Sequence, residues 1–220
     1  MLNKHRVGLG LVTGLALVGL ACQTVTVVPN ILFGRASPTP RPPTVVAPNA
    51  AATPDVDDNG DTPLTLGAGP TLGTIRETRV AVAEDTADLE SLAEEGYSTE
   101  ELNTVGARLS YTVRLDQTDT PVLWGYGWCA TTRTILDENL AAMQVEFTLN
   151  GEPVDLARFD IADYASADGL ECRSFVVVVY AWPSGPTTLE TRVTFTEALD
   201  DGMAEYPAGD QVFTYTVTAP

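Results

Sequence analysis

The sequence predicts an all-β domain over residues 73–220, an antiparallel sandwich of two sheets with one or two short helices. Three observations carry that expectation. Four runs alternate apolar and polar residues with the period of two that a half-buried strand requires. A fifth run, CRSFVVVVYAW, is apolar on both faces, as a central strand is. Asn150-Gly151 supplies the residue pair that a two-residue hairpin turn favours. At about 148 residues the domain is also long enough to bury a real core.

Taken in order, a first strand is expected near TIRETRVAVA. In DTADLESLAEEGYSTEELNTVG the pattern changes: Leu89 and Leu92 fall at helical spacing and Ser98-Thr99-Glu100-Glu101 has the make-up of a helix start, so short helices are placed there, over an edge or end. ARLSYTVRL follows, with Leu109, Tyr111, Val113 and Leu115 alternating against Arg108, Ser110, Thr112 and Arg114. PVLWGYGWCA is the next strand, and in MQVEFTLNGEPVDL the residues Met143, Val145, Phe147 and Leu149 share one face. FDIADYASADGLE reads as a loop. CRSFVVVVYAW then runs through the middle, LETRVTF buries Leu189, Val193 and Phe195, and VFTYTV buries Phe213, Tyr215 and Val217. Seven or eight strands at this spacing make two sheets. The architecture resembles the immunoglobulin-like sandwiches common on bacterial surfaces, although the Cys, Trp, Cys order of true immunoglobulin domains is absent: Trp128 precedes Cys129 and Trp182 follows Cys172.

Ahead of this domain, Lys4 and Arg6 precede an apolar stretch from Val7 to Ala21, the layout of a secretory signal over residues 1–21. VGLAC, ending at Cys22, resembles the lipobox of bacterial lipoproteins, a family whose signal is cut just before a cysteine that then carries acyl chains. That resemblance covers the first 22 residues and implies lipidation of Cys22 and a place on the extracytoplasmic face of the cell membrane. Two alternatives stay open. Gly19 and Ala21 satisfy the small-x-small rule of ordinary secretion, and Val7 to Val28 is long enough for an uncut single-pass anchor.

Residues 22–72 hold nine of the fifteen prolines, with Thr, Ala, Val and Gly, a composition that reads as a disordered tether; as a flexible coil its 50 or so residues reach roughly 40 Å. Within it DVDDNGD places Asp55, Asp57 and Asn59 at alternate positions before Gly60, the first half of a calcium loop. Leu66 stands where the bidentate Glu belongs, so calcium is a weak expectation, beside that of no cofactor.

Without residues 1–21 the chain has no lysine and no histidine, and ten arginines stand against 30 acidic residues, a net charge of −20. Nucleic acid and anionic lipid surfaces are repelled by such a charge. Ser-His-Asp triads, Schiff-base lysines, phosphate loops with their lysine and histidine-ligated zinc are all excluded. Carboxylate chemistry on glycans remains the enzymatic alternative, with Asp160, Asp163, Asp168 and Glu171 as its candidates. Cys129 and Cys172 have no histidine base to activate a thiol, so they are expected to form a disulfide.

Trp124, Tyr126 and Trp128 alternate with Gly125, Gly127 and Cys129. A disulfide between the sheets would turn Cys129 inward and leave the aromatics outward as a ligand-binding stripe for a glycan or an envelope protein. The alternative is that the rings are core, where most aromatics of soluble domains go. The expected role is that of a non-enzymatic, membrane-anchored binding or envelope-interaction protein, with a glycan hydrolase and a ligand-free spacer as the competing readings.

Overall fold

The computed structural model describes residues 60–220; the expected signal segment, Cys22, Asp55, Asp57, Asn59 and most of the expected tether lie outside the described residues. The fold is the expected two-sheet β-sandwich with three short α-helices. Its first half runs β1 (Leu64–Thr65), β2 (Thr71–Leu72), α1 (Ile75–Ala83), α2 (Thr99–Leu102), β3 (Arg108–Arg114), β4 (Val122–Ala130) and α3 (Arg133–Ala141). The second runs β5 (Met143–Leu149), β6 (Glu152–Val154), β7 (Asp160–Ala165), β8 (Glu171–Tyr180), β9 (Gly185–Phe195), β10 (Leu199–Asp200), β11 (Glu205–Tyr206) and β12 (Gly209–Ala219).

One sheet has the order β3-β12-β9-β5-β6, antiparallel except for the parallel pair of β3 and β12. The other centres on β8, which pairs with β4 along one edge and with β7 and then β2 along the other. Between the sheets lie Trp124, Val177 and Val179 from one and Tyr111, Phe147, Leu189 and Tyr215 from the other. This explains why CRSFVVVVYAW is apolar on both faces. Val177 and Val179 face the core, while Val176 and Val178 face a separate cluster with Ala81 of α1 and Leu123.

TIRETRVAVA is a helix, α1, and not the strand expected. Thr74 caps it: its hydroxyl accepts the Glu77 N–H while the Glu77 carboxylate accepts the Thr74 N–H, a complete capping box. Helix α1 also plugs a gap in the sheet. The β8 edge is unpaired between β7 and β2, and there the Val178 N–H donates to the buried Thr78 hydroxyl at 3.0 Å and the Val178 carbonyl accepts from Gly73.

The stretch with Leu89 and Leu92 forms no helix. Residues 84–97 are instead a strap with a turn at 89–92: the Leu89 N–H donates to the Leu123 carbonyl of β4 and the Leu123 N–H to the Ala87 carbonyl, and the Glu94 N–H donates to the Thr112 carbonyl on the outer edge of β3. The Glu95 carboxylate accepts both the N–H and the hydroxyl of Thr112, which holds it below its ordinary pKa. The expected helix start at Ser98 does form a capped helix, α2. Helix α3 and strand β7 are further departures, the latter lying where a loop was expected. The folded part also begins before Gly73, because Leu72 is fully buried and β1 and β2 belong to the sheet.

Candidate functional site

The aromatic stripe is a correction. Trp124 and Trp128 are buried and Tyr126 is half-buried among core residues, so the three rings face inward and form no exposed binding surface. Trp124 donates its indole N–H to the Thr191 hydroxyl at 3.0 Å and meets Phe147 edge-on, while Trp128 packs edge-on against Phe195 and Tyr206. The reason lies in the disulfide. Cys129 and Cys172 are bonded as expected, but they are direct cross-strand partners of β4 and β8 within one sheet, Cα to Cα 4.1 Å, on the face opposite the rings. A bridge within a sheet makes no demand that cysteine face the core.

The acidic candidates on β7 are tied into ion pairs. Asp160 takes a two-pronged contact from Arg79. Asp163 lies between Arg173, at 2.6 and 2.9 Å, and Arg133, at 2.7 Å; burial works against its charge, but the hydrogen bonds from the two guanidiniums win and keep its carboxyl below the ordinary value. Asp168 sits in the β7–β8 turn, bonded by the Ser166 hydroxyl, and Glu171 begins β8. The structure does not bring these four carboxylates together as an acid–base pair. Among the described residues no group of three or more His, Cys, Asp or Glu is arranged to hold a metal ion, and no helix is long and apolar enough to cross a membrane.

What GYGWC does present is an edge. Strand β4 is the outermost strand of its sheet, with β8 on one side only. Along an antiparallel strand, alternate residues aim N–H and C=O away from the partner. Leu123 does so toward the strap, donating to Ala87 and accepting from Leu89, and Thr131 does so toward the β10–β11 hairpin, donating to Asp201 at 2.8 Å. By the same alternation Gly125, Gly127 and Cys129 also aim outward, and among the described residues none of their backbone groups has a partner on that side. Six backbone groups thus stand open over a window of about 14 Å, between two paired ends.

The glycines differ in cause. A Cβ at Gly125 would come within 2.3 Å of the Phe175 carbonyl, so packing against β8 requires glycine there; at Gly127 the nearest atom would be 3.8 Å away, ordinary contact. Packing therefore does not require glycine at Gly127.

At the strap end the window opens into a small cavity of about 40 Å³, lined by Asp88, Glu90, Leu123, Trp124, Gly125 and Tyr215, with Leu89 and Val176. The Asp88 carboxylate caps the Ser91 N–H at 2.7 Å. The Glu90 carbonyl accepts the Ala93 N–H, but its carboxylate makes no hydrogen bond or ion pair among the described residues, and desolvation, with the nearby Asp88 charge, pushes it above the ordinary value. Tyr215 stacks on Tyr111, ring centroids 4.7 Å apart, and burial followed by the Glu90 charge pushes both phenols up. Sequence reasoning missed Asp88 and Glu90 by assigning them to a helix. The structure places them instead at a hydrogen-bonded turn around the buried Leu89.

The site is thus an open sheet edge on an acidic two-sheet sandwich, with a carboxylate-lined cavity at one end. No protein-family model matches the chain, and no curated protein does. Among solved structures it is similar to the one described as PbICP-C in complex with falcipain-2, at 11% identity and a TM-score of 0.31, over 57% of this chain and 96% of that one. A likeness of that size carries no argument.

Proposed function

We propose that this chain is a membrane-anchored, extracytoplasmic binding protein that takes an extended polypeptide segment as an added strand on the outer edge of β4. The observation that supports this most directly is the run of unpartnered backbone groups at Gly125, Gly127 and Cys129 between two paired ends. Exposed edges are templates for strand addition, and proteins ordinarily blunt them with proline, lysine, bulges or a covering segment. Here the strap and the β10–β11 hairpin cover only the ends. The Cys129–Cys172 bond fastens β4 to β8 beside the window, so the template is held rigid.

The partner's character follows from charge. With a net −20 outside the signal segment, and with Asp88 and Glu90 at one end of the window, a cationic or neutral segment is favoured over an acidic one. Anchoring rests on the N-terminal pattern around Lys4, Arg6 and Cys22. Selection of a displayed heptapeptide library on the full chain tests the edge. Peptides enriched on the wild type should bind Gly127→Ala, which keeps the N–H, and lose at least tenfold on Gly127→Pro, which removes an outward donor without breaking a ladder bond. Equal binding to a folded Gly127→Pro chain would reject the edge as the site.

A further inference from the structure

We propose that the cavity at the strap end of the β4 edge is the acceptor for one lysine side chain of the bound segment; this rests on the reading of the edge as a strand-addition site. Four features converge. The cavity, about 40 Å³, holds a few water-sized groups and so accommodates an ammonium head while excluding a sugar or aromatic ring. Two carboxylates, Asp88 and Glu90, line it, and among the described residues neither is in an ion pair; Arg79 and Arg114 are paired elsewhere, with Asp160 and Glu94.

The third feature is independent of the acids. Tyr215 is only 6% exposed and lines the cavity, and its hydroxyl makes no hydrogen bond among the described residues; the Tyr111 hydroxyl stacked beside it is sealed off and unpartnered, although Tyr111 is not itself a wall of the cavity. A side chain so largely buried whose hydroxyl has no partner among the described residues leaves that hydroxyl available to a donor or acceptor entering the cavity. The fourth is position. Gly125 is both a wall of the cavity and the first open residue of the window, so the side chain of a strand residue paired near Gly125 is within reach of the carboxylates.

An ammonium there donates charge-assisted bonds to Glu90 and Asp88 while its stem runs along Leu123 and Trp124, an amphipathic fit that a compact lysine makes and a planar guanidinium does not. The unfavourable field at Glu90 is then relieved by the ligand, which ties affinity to this one position of the bound segment.

The test uses the full chain in neutral detergent and two probes. In the first, n-butylammonium, a free copy of the lysine side chain, is titrated while tryptophan emission is read, since Trp124 lines the cavity. Saturable change in the wild type, lost or weakened at least tenfold in Asp88→Asn/Glu90→Gln, supports the proposal. A linear response, or the same saturation in the double variant, overturns it and leaves water as the occupant. In the second, fluorescein-labelled heptapeptides of Ser, Thr and Val carry one lysine at each position in turn, with norleucine controls. At one position lysine should bind about tenfold tighter than norleucine, and the double variant should erase that ratio while norleucine peptides still bind. If peptides bind in a Gly127→Pro-sensitive way but show no lysine preference, the edge stands and the lysine acceptor fails. If butylammonium saturates but no peptide binds, the cation site stands alone and the edge reading fails, and the lysine of a bound segment with it.

Discussion

Glu90 is an exposed residue whose carboxyl is nonetheless pushed above its ordinary pKa, so its effect on the fold is small. Its carboxyl is desolvated beside Asp88, while β3 and β12 face it with the phenols of Tyr111 and Tyr215 and β4 and β8 with uncharged Leu123, Trp124, Gly125 and Val176. A carboxyl whose folded pKa lies above its unfolded value binds more protons when folded, so the fold loses stability as pH rises through that interval. Glu90→Gln should therefore raise the melting temperature at pH 7 by about 1–2 °C, discounted for the exposure of the residue, and the gain should vanish below pH 4. Thermal unfolding at the two values checks it; a loss at pH 7 would show that the charged form is stabilised instead. Asp163 has the opposite sign. Its two arginines keep it ionised against burial, so its contribution is present above the ordinary aspartate range and lost as pH falls through its depressed folded value. Stabilising substitutions that remove a strained charge tend to coincide with functional positions, because selection for binding keeps what folding would discard.

At the scale of elements, α1 and the disulfide hold the central strand from opposite sides. Thr78 accepts the Val178 N–H inside the break between β7 and β2, so Thr78→Val should leave that donor buried and unpaired and cost about 1–3 kcal/mol, read from denaturant midpoints. The Cys129–Cys172 bond closes a loop of 43 residues, and replacing both by serine should cost up to about 4 kcal/mol by the chain-entropy argument, mostly as faster unfolding of the β4–β8 pair. Elements whose pattern is local were legible in the sequence. Strands β3, β5, β8, β9 and β12 follow from alternation or from double-sided apolarity. Helix α1 was not legible by that test, since Val80 and Val82 alternate like strand residues, although Thr74 and Glu77 spelled the capping box. Strand β7 hid because Ile161 is exposed while Asp160 and Asp163 are engaged by arginines, an inverted pattern that reads as loop. The site was half legible. Alternation placed the three aromatics together on one face, but which face is inner depends on whether the disulfide joins two sheets or two neighbouring strands, and an unpaired edge is a property of strands far away in sequence.

At the scale of the whole molecule, the boundary between tether and domain decides what a working fragment is. Composition placed it after Leu72, yet the residues just before Gly73 belong to the sheet and bond to the elements around it. Leu72 is fully buried against β8, Leu64 and Leu66 pack on the core, the Gly60 carbonyl accepts the Ile75 N–H at the start of α1, and the Thr62 carbonyl accepts from the buried Arg158 guanidinium at 2.6 Å. A chain cut at Gly73 would expose the β8 edge at Val179 and Tyr180, leave Arg158 without that acceptor, and lose the burial of one whole leucine, itself worth about 1.5–3 kcal/mol. With the lost hydrogen bonds the deficit should exceed about 3 kcal/mol, which for a domain of this size lowers the melting temperature by roughly 6–12 °C. Fragments 60–220 and 73–220, compared by calorimetry in the same buffer, check this directly. Equal melting temperatures would mean that β1 and β2 only lean on a sheet complete without them; the expected gap would mean that the end of the segment that composition reads as a tether enters the sandwich as a structural part, so that a load on it is felt at β8, the strand that carries β4 and its open edge.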